Sequence, residues 1–308
     1  MTEAIAMDST PATFEGKGDL ARFMAAEKHA VDTQLAEKGA VLFRGFDVAE
    51  AVSFDAAVEA YGEPGFTYAE SLSNAVRVNV TERVFTANEA PPTTTIYLHH
   101  EMAQTPIYPA KLFFYCEIAA EQGGATPLCR SDLLFEQMTE RDPAAAQAFE
   151  ERGVRYANVM PGADDASSGQ GRSWRSTLGV ETQDAAEARL AALGYEWEWR
   201  EDDSMRATTP VLPAVRDLGD GRKSFFNQLI AAFCGWSDSR NDPARAVTFG
   251  DGVPITGADM AAAIAISEEL TYDHAWQAGD VVLVDNFAVM HGRNPFEGKR
   301  RVLASLIS

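Results

Sequence analysis

Apolar residues recur at three- and four-residue intervals through LARFMAAEKHAVDTQLAEKG, and the run stops at Gly39. That period predicts an amphipathic helix closed by a glycine. The mostly apolar AVLFRGF then reads as a buried strand, and AEAVSFDAAVEAYG as another short helix. Across residues 66–102 the pattern turns β-branched: VRVNV and TTTIYLH predict strands joined by turns, with His99 and His100 where the second ends. PAKLFFYCE predicts a further strand, and Gln122 to Ala125 a turn. SDLLFEQMTERDPAAAQAFEERG follows as one helical stretch with Ser131 or Asp132 as its N-cap.

Residues 161–174 are rich in Gly, Ser and Asp, the composition of a surface loop; in an enzyme such a loop can also serve as a lid. Residues 182–193 return to helical spacing. From Glu196 to Arg200 charged and aromatic residues alternate as in a half-buried strand, so Trp197 and Trp199 read as sheet packing. MRATTPVLPAV and RKSFFNQLIAAF are strand-like runs, and GADMAAAIAISEELT predicts a helix. HAWQAGDVVLVDNFAVMHGRNPFEGKRRVLASLIS reads as strand, tight corner, strand. Helices precede and separate the strands without a βαβ rhythm, an internal repeat or a glycine-rich phosphate loop, which predicts an α+β fold and not a nucleotide-binding sheet.

Composition narrows the classes further. With 308 residues, 46% of them hydrophobic and 10% aromatic, the chain can bury a substantial core, which excludes disorder and a disulfide-stapled miniprotein. The net charge of −20 repels nucleic-acid phosphates and anionic lipid headgroups, so neither nucleic acid nor membrane is an expected partner. Cys116, Cys129 and Cys234 lie far apart with no CxxC pair, as buried thiols of a reducing compartment do. No uninterrupted apolar run reaches membrane-spanning length and the first residues lack a basic, apolar leader pattern, so a soluble cytoplasmic protein is the expectation.

Five histidines, His29, His99, His100, His274 and His291, limit where imidazole chemistry can be built. In an extended segment residues i and i+2 share a side, so His99 and Glu101 can present an imidazole and a carboxylate to one point while His100 faces away. His291, at the end of VVLVDNFAVM, is the best remaining third ligand. Two histidines and a carboxylate on one face suit non-haem Fe(II), which keeps positions open for a co-substrate and dioxygen. Zinc accepts the same ligands but needs only one open position and a base for water. Gly123-Gly124-Ala125-Thr126 offers close backbone approach and a hydroxyl for a carboxylate. Arg300-Arg301 offers a guanidinium clamp.

HHEM, PAKLFFYCE, GGATPL, FFNQ and WQAGDVVLVDNFAVMHGRNPFEGKRRVL together resemble the taurine dioxygenase (TauD/TfdA) family of Fe(II)- and 2-oxoglutarate-dependent dioxygenases. The resemblance is greatest to its clavaminate synthase-like and SyrP-like branch, which carries glutamate where taurine dioxygenase has aspartate. It runs from about Ala40 to the C-terminus and is weak between about 155 and 215. It implies one domain over residues 1–308, a double-stranded β-helix (jelly roll, cupin-like) flanked by helices, with a variable insert at about 155–215. It implies His99, Glu101 and His291 as the metal ligands and catalytic centre. It further implies that Thr126 bonds the distal carboxylate of 2-oxoglutarate and that Arg300 or Arg301 pairs with it. Alternation admits only one of the two, and the HGRxPFxGxR pattern favours Arg300.

The implied reaction is hydroxylation of an unactivated C–H bond of a small amino acid or amino-acid-derived metabolite, using Fe(II), 2-oxoglutarate and O2 and releasing succinate and CO2. Retention of Glu101 argues against halogenation, since related halogenases replace that carboxylate by a small residue. One departure disfavours a taurine-like sulfonate: Ala304 or Ser305 stands where taurine dioxygenase has a second arginine. Asn227, Gln228, Arg293 and His100 are candidate substrate contacts. A carrier-protein-tethered aminoacyl substrate is the alternative of the same chemistry, disfavoured by the chain's negative charge. A zinc-dependent hydrolase and a non-catalytic jelly-roll binding protein are the alternatives of other classes. Homo-oligomerisation is compatible with all of these.

Overall fold

The structure, a computed structural model, describes residues 9–67, 72, 77–87, 90–165, 171–235 and 246–308. In chain order, β1 (Ala12–Glu15) and α1 (Leu20–Lys38) lead into β2 (Ala40–Arg44) and α2 (Ala51–Tyr61). There follow β3 (Phe85–Thr86), β4 (Ile96–His99), β5 (Lys111–Ile118), β6 (Gln122–Gly123) and β7 (Thr126–Arg130). After α3 (Ser131–Arg141) and α4 (Pro143–Arg152) come β8 (Val154–Met160), α5 (Trp174–Leu178), α6 (Gln183–Ala192), β9 (Glu196–Trp199) and β10 (Met205–Thr208). Next are β11 (Arg216–Asp217), β12 (Lys223–Ser224), α7 (Leu229–Gly235), β13 (Val247–Phe249) and α8 (Gly257–Leu270). The chain closes with β14 (Tyr272–His274), β15 (Val281–Asp285), β16 (Val289–Arg293), β17 (Phe296–Glu297) and β18 (Arg301–Ile307).

A six-stranded sheet, β1-β2-β15-β5-β18-β3, packs on a four-stranded sheet, β14-β7-β16-β4. Strand alternation explains the layering. Ala40, Leu42, Leu112, Phe114, Val282, Val284, Val302 and Ala304 point inward to Leu128 of β7 and Val289 of β16. Their neighbours Val41, Phe43, Phe113, Tyr115, Val281, Leu283 and Leu303 point outward to Leu20, Met24, Val31 and Leu35 of α1 and Phe54 and Val58 of α2. A sheet covered on both faces needs both sets apolar, which is why these strands read as near-continuous hydrophobic runs. On the far side of the smaller sheet, Leu98, Cys129 and Met290 pack with α3, α4 and α8. Two sheets, antiparallel but for the parallel β1–β2 pair at one edge, enclose a common core with helices outside them, which is the expected α+β jelly roll.

The stretch of weak resemblance supplies three strands of a further sheet, β13-β8-β10-β9, joined at one edge by β13 from later in the chain, and packs a separate core of Trp174, Leu178, Leu190 and Met205. Trp197 and Trp199 pack against that core as expected. Of residues 161–174, positions 166–170 lie outside the described residues; on the described flanks Asp165 N–H bonds the Gly171 carbonyl at 2.7 Å and Ser173 caps α5. Among the described residues no helix is long and apolar enough to cross a membrane.

Several local expectations are corrected. The stretch starting at Ser131 is two helices, because Asp142 caps a new one with Pro143 in its first turn. The N-cap of α3 is Arg130, and Asp132 instead accepts its guanidinium. RKSFFNQLIAAF is strand only at β12 and helical in α7, because the Asn227 side-chain oxygen accepts Leu229 N–H at 2.9 Å and starts a helix. Of VRVNV, Val76 lies outside the described residues, and Asn79 makes only an isolated bridge to Phe85.

Candidate active site

Strand register brings the predicted cluster together. β4 and β16 are antiparallel neighbours in which His99 lies directly opposite His291, their ring centroids 4.4 Å apart. Gly292 allows this approach, since a Cβ there would strike the Ile96 carbonyl oxygen on β4. Glu101, two residues beyond His99, places Oε2 3.9 Å from His99 Nε2 and 3.6 Å from His291 Nε2. One ligand atom from each residue lies within 4.8 Å of the other two. The Glu101–imidazole separations exceed hydrogen-bond length, so the three groups converge without closing on one another.

Protonation suits a cation. His99 Nδ1–H donates to the Tyr97 carbonyl at 2.8 Å, which leaves the Nε2 lone pair for a ligand. Burial, reinforced by the neighbouring His291, pushes His99 down to about 4. Burial alone would raise the Glu101 carboxyl, but the neighbouring His291 and His99 rings and the Arg77 guanidinium outweigh it and hold it at about 2. Among the described residues His291 Nδ1 is buried without a hydrogen-bond partner. A neutral His99 imidazole and the His291 ring beside an ionised carboxylate form a donor set for a divalent first-row metal.

Asn286 holds the segment that carries Glu101. Its Oδ1 accepts Glu101 N–H at 2.7 Å, and its Nδ2 donates to the carbonyls of Glu101 at 3.0 Å and Pro109 at 2.8 Å. The next residue, Met102, is buried at φ 60, a left-handed conformation that a non-glycine side chain adopts only when its surroundings impose it. His100 points to the opposite side: Nδ1 donates to the Asn286 carbonyl and the ring packs on Phe226 at 4.7 Å. Burial pushes it down to about 3. Gln228 Nε2 donates to the His100 carbonyl at 2.9 Å and Asn227 Nδ2 to the Ala214 carbonyl at 3.0 Å. His100, Asn227 and Gln228 thus lie outside the pocket lining and brace its floor from behind.

The triad opens into a pocket of about 570 Å3, its solvent-open mouth included. Phe85, Ile96, Leu112, Phe114, Val302 and Leu306 form its apolar walls, and Arg77, Thr126, Arg293 and Arg300 its polar points. Arg300 Nε donates to the Gly124 carbonyl at 3.0 Å, and among the described residues no carboxylate lies within ion-pair distance of its guanidinium. Burial, with Arg293 adding like charge, lowers it to about 10. Gly124, at φ 69, makes room: a Cβ there would stand 3.0 Å from Arg300 Cδ and 3.1 Å from Phe296 Cβ. Arg301 is exposed and pairs with Glu117 at 2.6 Å, away from the pocket. Arg293 lines the pocket, yet its guanidinium donates to the carbonyls of Ala90, Pro91 and Thr94 at 2.7 to 2.9 Å.

Two pocket features escaped sequence reasoning. Arg77 sits in VRVNV, which reads only as strand. Trp276 donates its indole N–H to Thr126 Oγ1 at 2.9 Å, and only the β14–β7 pairing brings the two together.

The profile of the family described as "Taurine catabolism dioxygenase TauD, TfdA family" matches residues 8–306. The chain belongs to the TauD/TfdA family. It is thereby an Fe(II)- and 2-oxoglutarate-dependent dioxygenase, with O2 as oxidant. It is 46% identical over 281 residues to a clavaminate synthase-like protein of Arabidopsis thaliana, covering 91% of this chain and 84% of the relative. The dapdiamide synthesis protein DdaC of Enterobacter agglomerans is 31% identical over 293 residues, covering 91% and 85%. In fold, the crystal structure of AAD-2 in complex with Mn(II) and N-oxalylglycine matches with a TM-score of 0.54 at 16% identity, covering 97% of this chain and 95% of that one.

Proposed function

We propose that His99, Glu101 and His291 hold the Fe(II), that Arg300 and Thr126 anchor the distal carboxylate of 2-oxoglutarate, and that the enzyme hydroxylates a small amino acid or amino-acid-derived metabolite. The supporting observation is the juxtaposition of the three converging ligand atoms with a guanidinium that has no carboxylate partner among the described residues, in one pocket. A cation buried without a counter-ion is costly, and an anionic ligand offsets that cost. When bound, iron with 2-oxoglutarate and O2 would supply the oxidant for C–H hydroxylation, one oxygen atom passing to the substrate and the other to succinate, with CO2 released.

The chain's own residues orient the reactants. Gly124 holds Arg300 by its Nε and leaves the outer nitrogens of the fork for a carboxylate. A divalent metal and Arg300 together offset Glu101 and the two carboxylates of 2-oxoglutarate. The apolar walls accept a small hydrocarbon body and keep water from it. Ala304, also on the wall, presents no cation to a second acidic group.

The test adds Fe(II) and 2-oxoglutarate without oxygen, reads the visible charge-transfer band, then admits air and measures succinate with single amino acids present. A band followed by amino-acid-stimulated succinate release is the expected result. Hydrolytic activity with zinc and no band refutes the reading. A band with succinate release that no amino acid or derivative stimulates refutes the substrate class alone.

A further inference from the structure

We propose that Trp276 is a positioning residue for the co-substrate, its indole N–H setting the Thr126 hydroxyl as a hydrogen-bond donor to the distal carboxylate. The proposal rests on the reading above, in which Thr126 and Arg300 form the carboxylate anchor.

An indole N–H can only donate, whereas a hydroxyl has one proton to give and lone pairs to receive. Trp276 Nε1 reaches Thr126 Oγ1 at 2.9 Å and so occupies the accepting side of that oxygen. The hydroxyl proton must then turn elsewhere. Thr126 is only 6% exposed, and among the described residues no protein acceptor takes its proton. It lines the pocket together with Arg300. A hydroxyl held as donor beside a guanidinium is a receptor for one anion. A hydroxyl free to rotate would instead present a lone pair to that anion part of the time.

The indole is itself held in place. β14 pairs with β7 so that His274 lies directly opposite Thr126, and the chain beyond it returns the indole to the same strand. The buried His274 ring stands edge-on to the indole, with centroids 4.5 Å apart and planes at 87°. Behind it, His274 Nε2 lies 3.6 Å from the buried Asp280 carboxylate, which Arg44 grips through Nε at 2.9 Å and a terminal nitrogen at 2.6 Å. A continuous frame therefore runs from Arg44 through Asp280, His274 and Trp276 to the pocket wall, and its last polar contact orients one proton. None of these four residues lines the pocket, so their effect on the co-substrate passes through Thr126.

Trp276→Phe keeps an aromatic ring against His274 and removes the N–H. In Fe(II)-loaded protein without oxygen, titration of the charge-transfer band should give a 2-oxoglutarate Kd raised about five-fold, against about ten-fold for Thr126→Val. The kcat at saturating co-substrate should stay within about two-fold of wild type, because the oriented hydroxyl acts on binding. In the Thr126→Val background Trp276→Phe should add almost nothing, since no hydroxyl remains to orient. Trp276→Tyr, a second ring without the indole N–H, is carried in parallel in case the phenylalanine variant does not fold. An unchanged Kd overturns the proposal, as does an equal penalty in both backgrounds, which would make the indole a packing element. If wild-type protein shows no band at all, the oxygenase site fails instead, and the two failures are distinct.

Discussion

Replacing Asn286 with alanine removes three hydrogen bonds that pin the segment carrying Glu101. The Glu101 N–H and the carbonyls of Glu101 and Pro109 all lose their partner, and Asn286 is 0% exposed, so solvent does not readily replace it. An unsatisfied buried backbone group costs about 1–3 kcal/mol, and one water admitted to the space left by the amide recovers part of that, so the net loss is about 3–5 kcal/mol. Against a typical stability of about 5–15 kcal/mol, Asn286→Ala should fold with a much reduced margin. Urea titration of the metal-free protein should show a lower midpoint at unchanged slope. Freed from Asn286, the Glu101 carboxylate no longer stands in register with the two imidazoles, and Mn(II) affinity read by electron paramagnetic resonance should fall about 10–100-fold. Asn286→Asp retains the acceptor for Glu101 N–H but sets an anion against two carbonyl oxygens, so it should also destabilise. A loss under about 1 kcal/mol together with wild-type Mn(II) binding would show that this amide does not hold the segment.

Glu101→Ala should abolish iron-dependent turnover while leaving the circular dichroism spectrum unchanged; full activity would remove Glu101 from the site. Arg300→Gln should raise the 2-oxoglutarate KM by about ten-fold or more through loss of a charge-assisted contact, while Arg301→Gln leaves it unchanged, and the reverse pattern refutes the assignment. The third case concerns pH. Burial alone would raise the Asp280 carboxyl, but Arg44 and His274 hold it at about 2, below its ordinary 3.8. Folding therefore favours the ionised form, and that stabilisation, about 2 kcal/mol, is complete above pH 3.8 and lost as the pH falls through 2. The stability gap between wild type and Asp280→Asn should accordingly narrow as urea midpoints are measured from pH 5 downward, and a gap independent of pH contradicts the pairing.

Legibility in the sequence followed the range of the interactions. The expected spacing in HHE does set His99 and Glu101 apart from His100, although β4 ends at His99 and Glu101 stands in the turn that follows. The apolar runs of β2, β5, β15 and β18 announced strands, and the glycine at 124 announced a close approach, here to Arg300. The FFNQ pair was less transparent. A polar dipeptide in an apolar run signals that it must find partners but not whose, and here the partners are buried carbonyls behind the site.

What the chain determines by itself is thus the class of fold, the side on which each candidate ligand stands along its own segment, and the inventory of groups available. Tertiary structure alone decided that His291 lies opposite His99, that Trp276 meets Thr126, and that Arg77 faces the triad. The same holds for the neighbours Arg300 and Arg301: β18 shifts register between Arg301 and Val302, so a strict count of two along the strand cannot say which arginine turns inward. The physical reason is that side-chain direction has a period written into the local backbone, whereas convergence depends on how distant strands align. That alignment is set by the packing of the whole core between the two sheets.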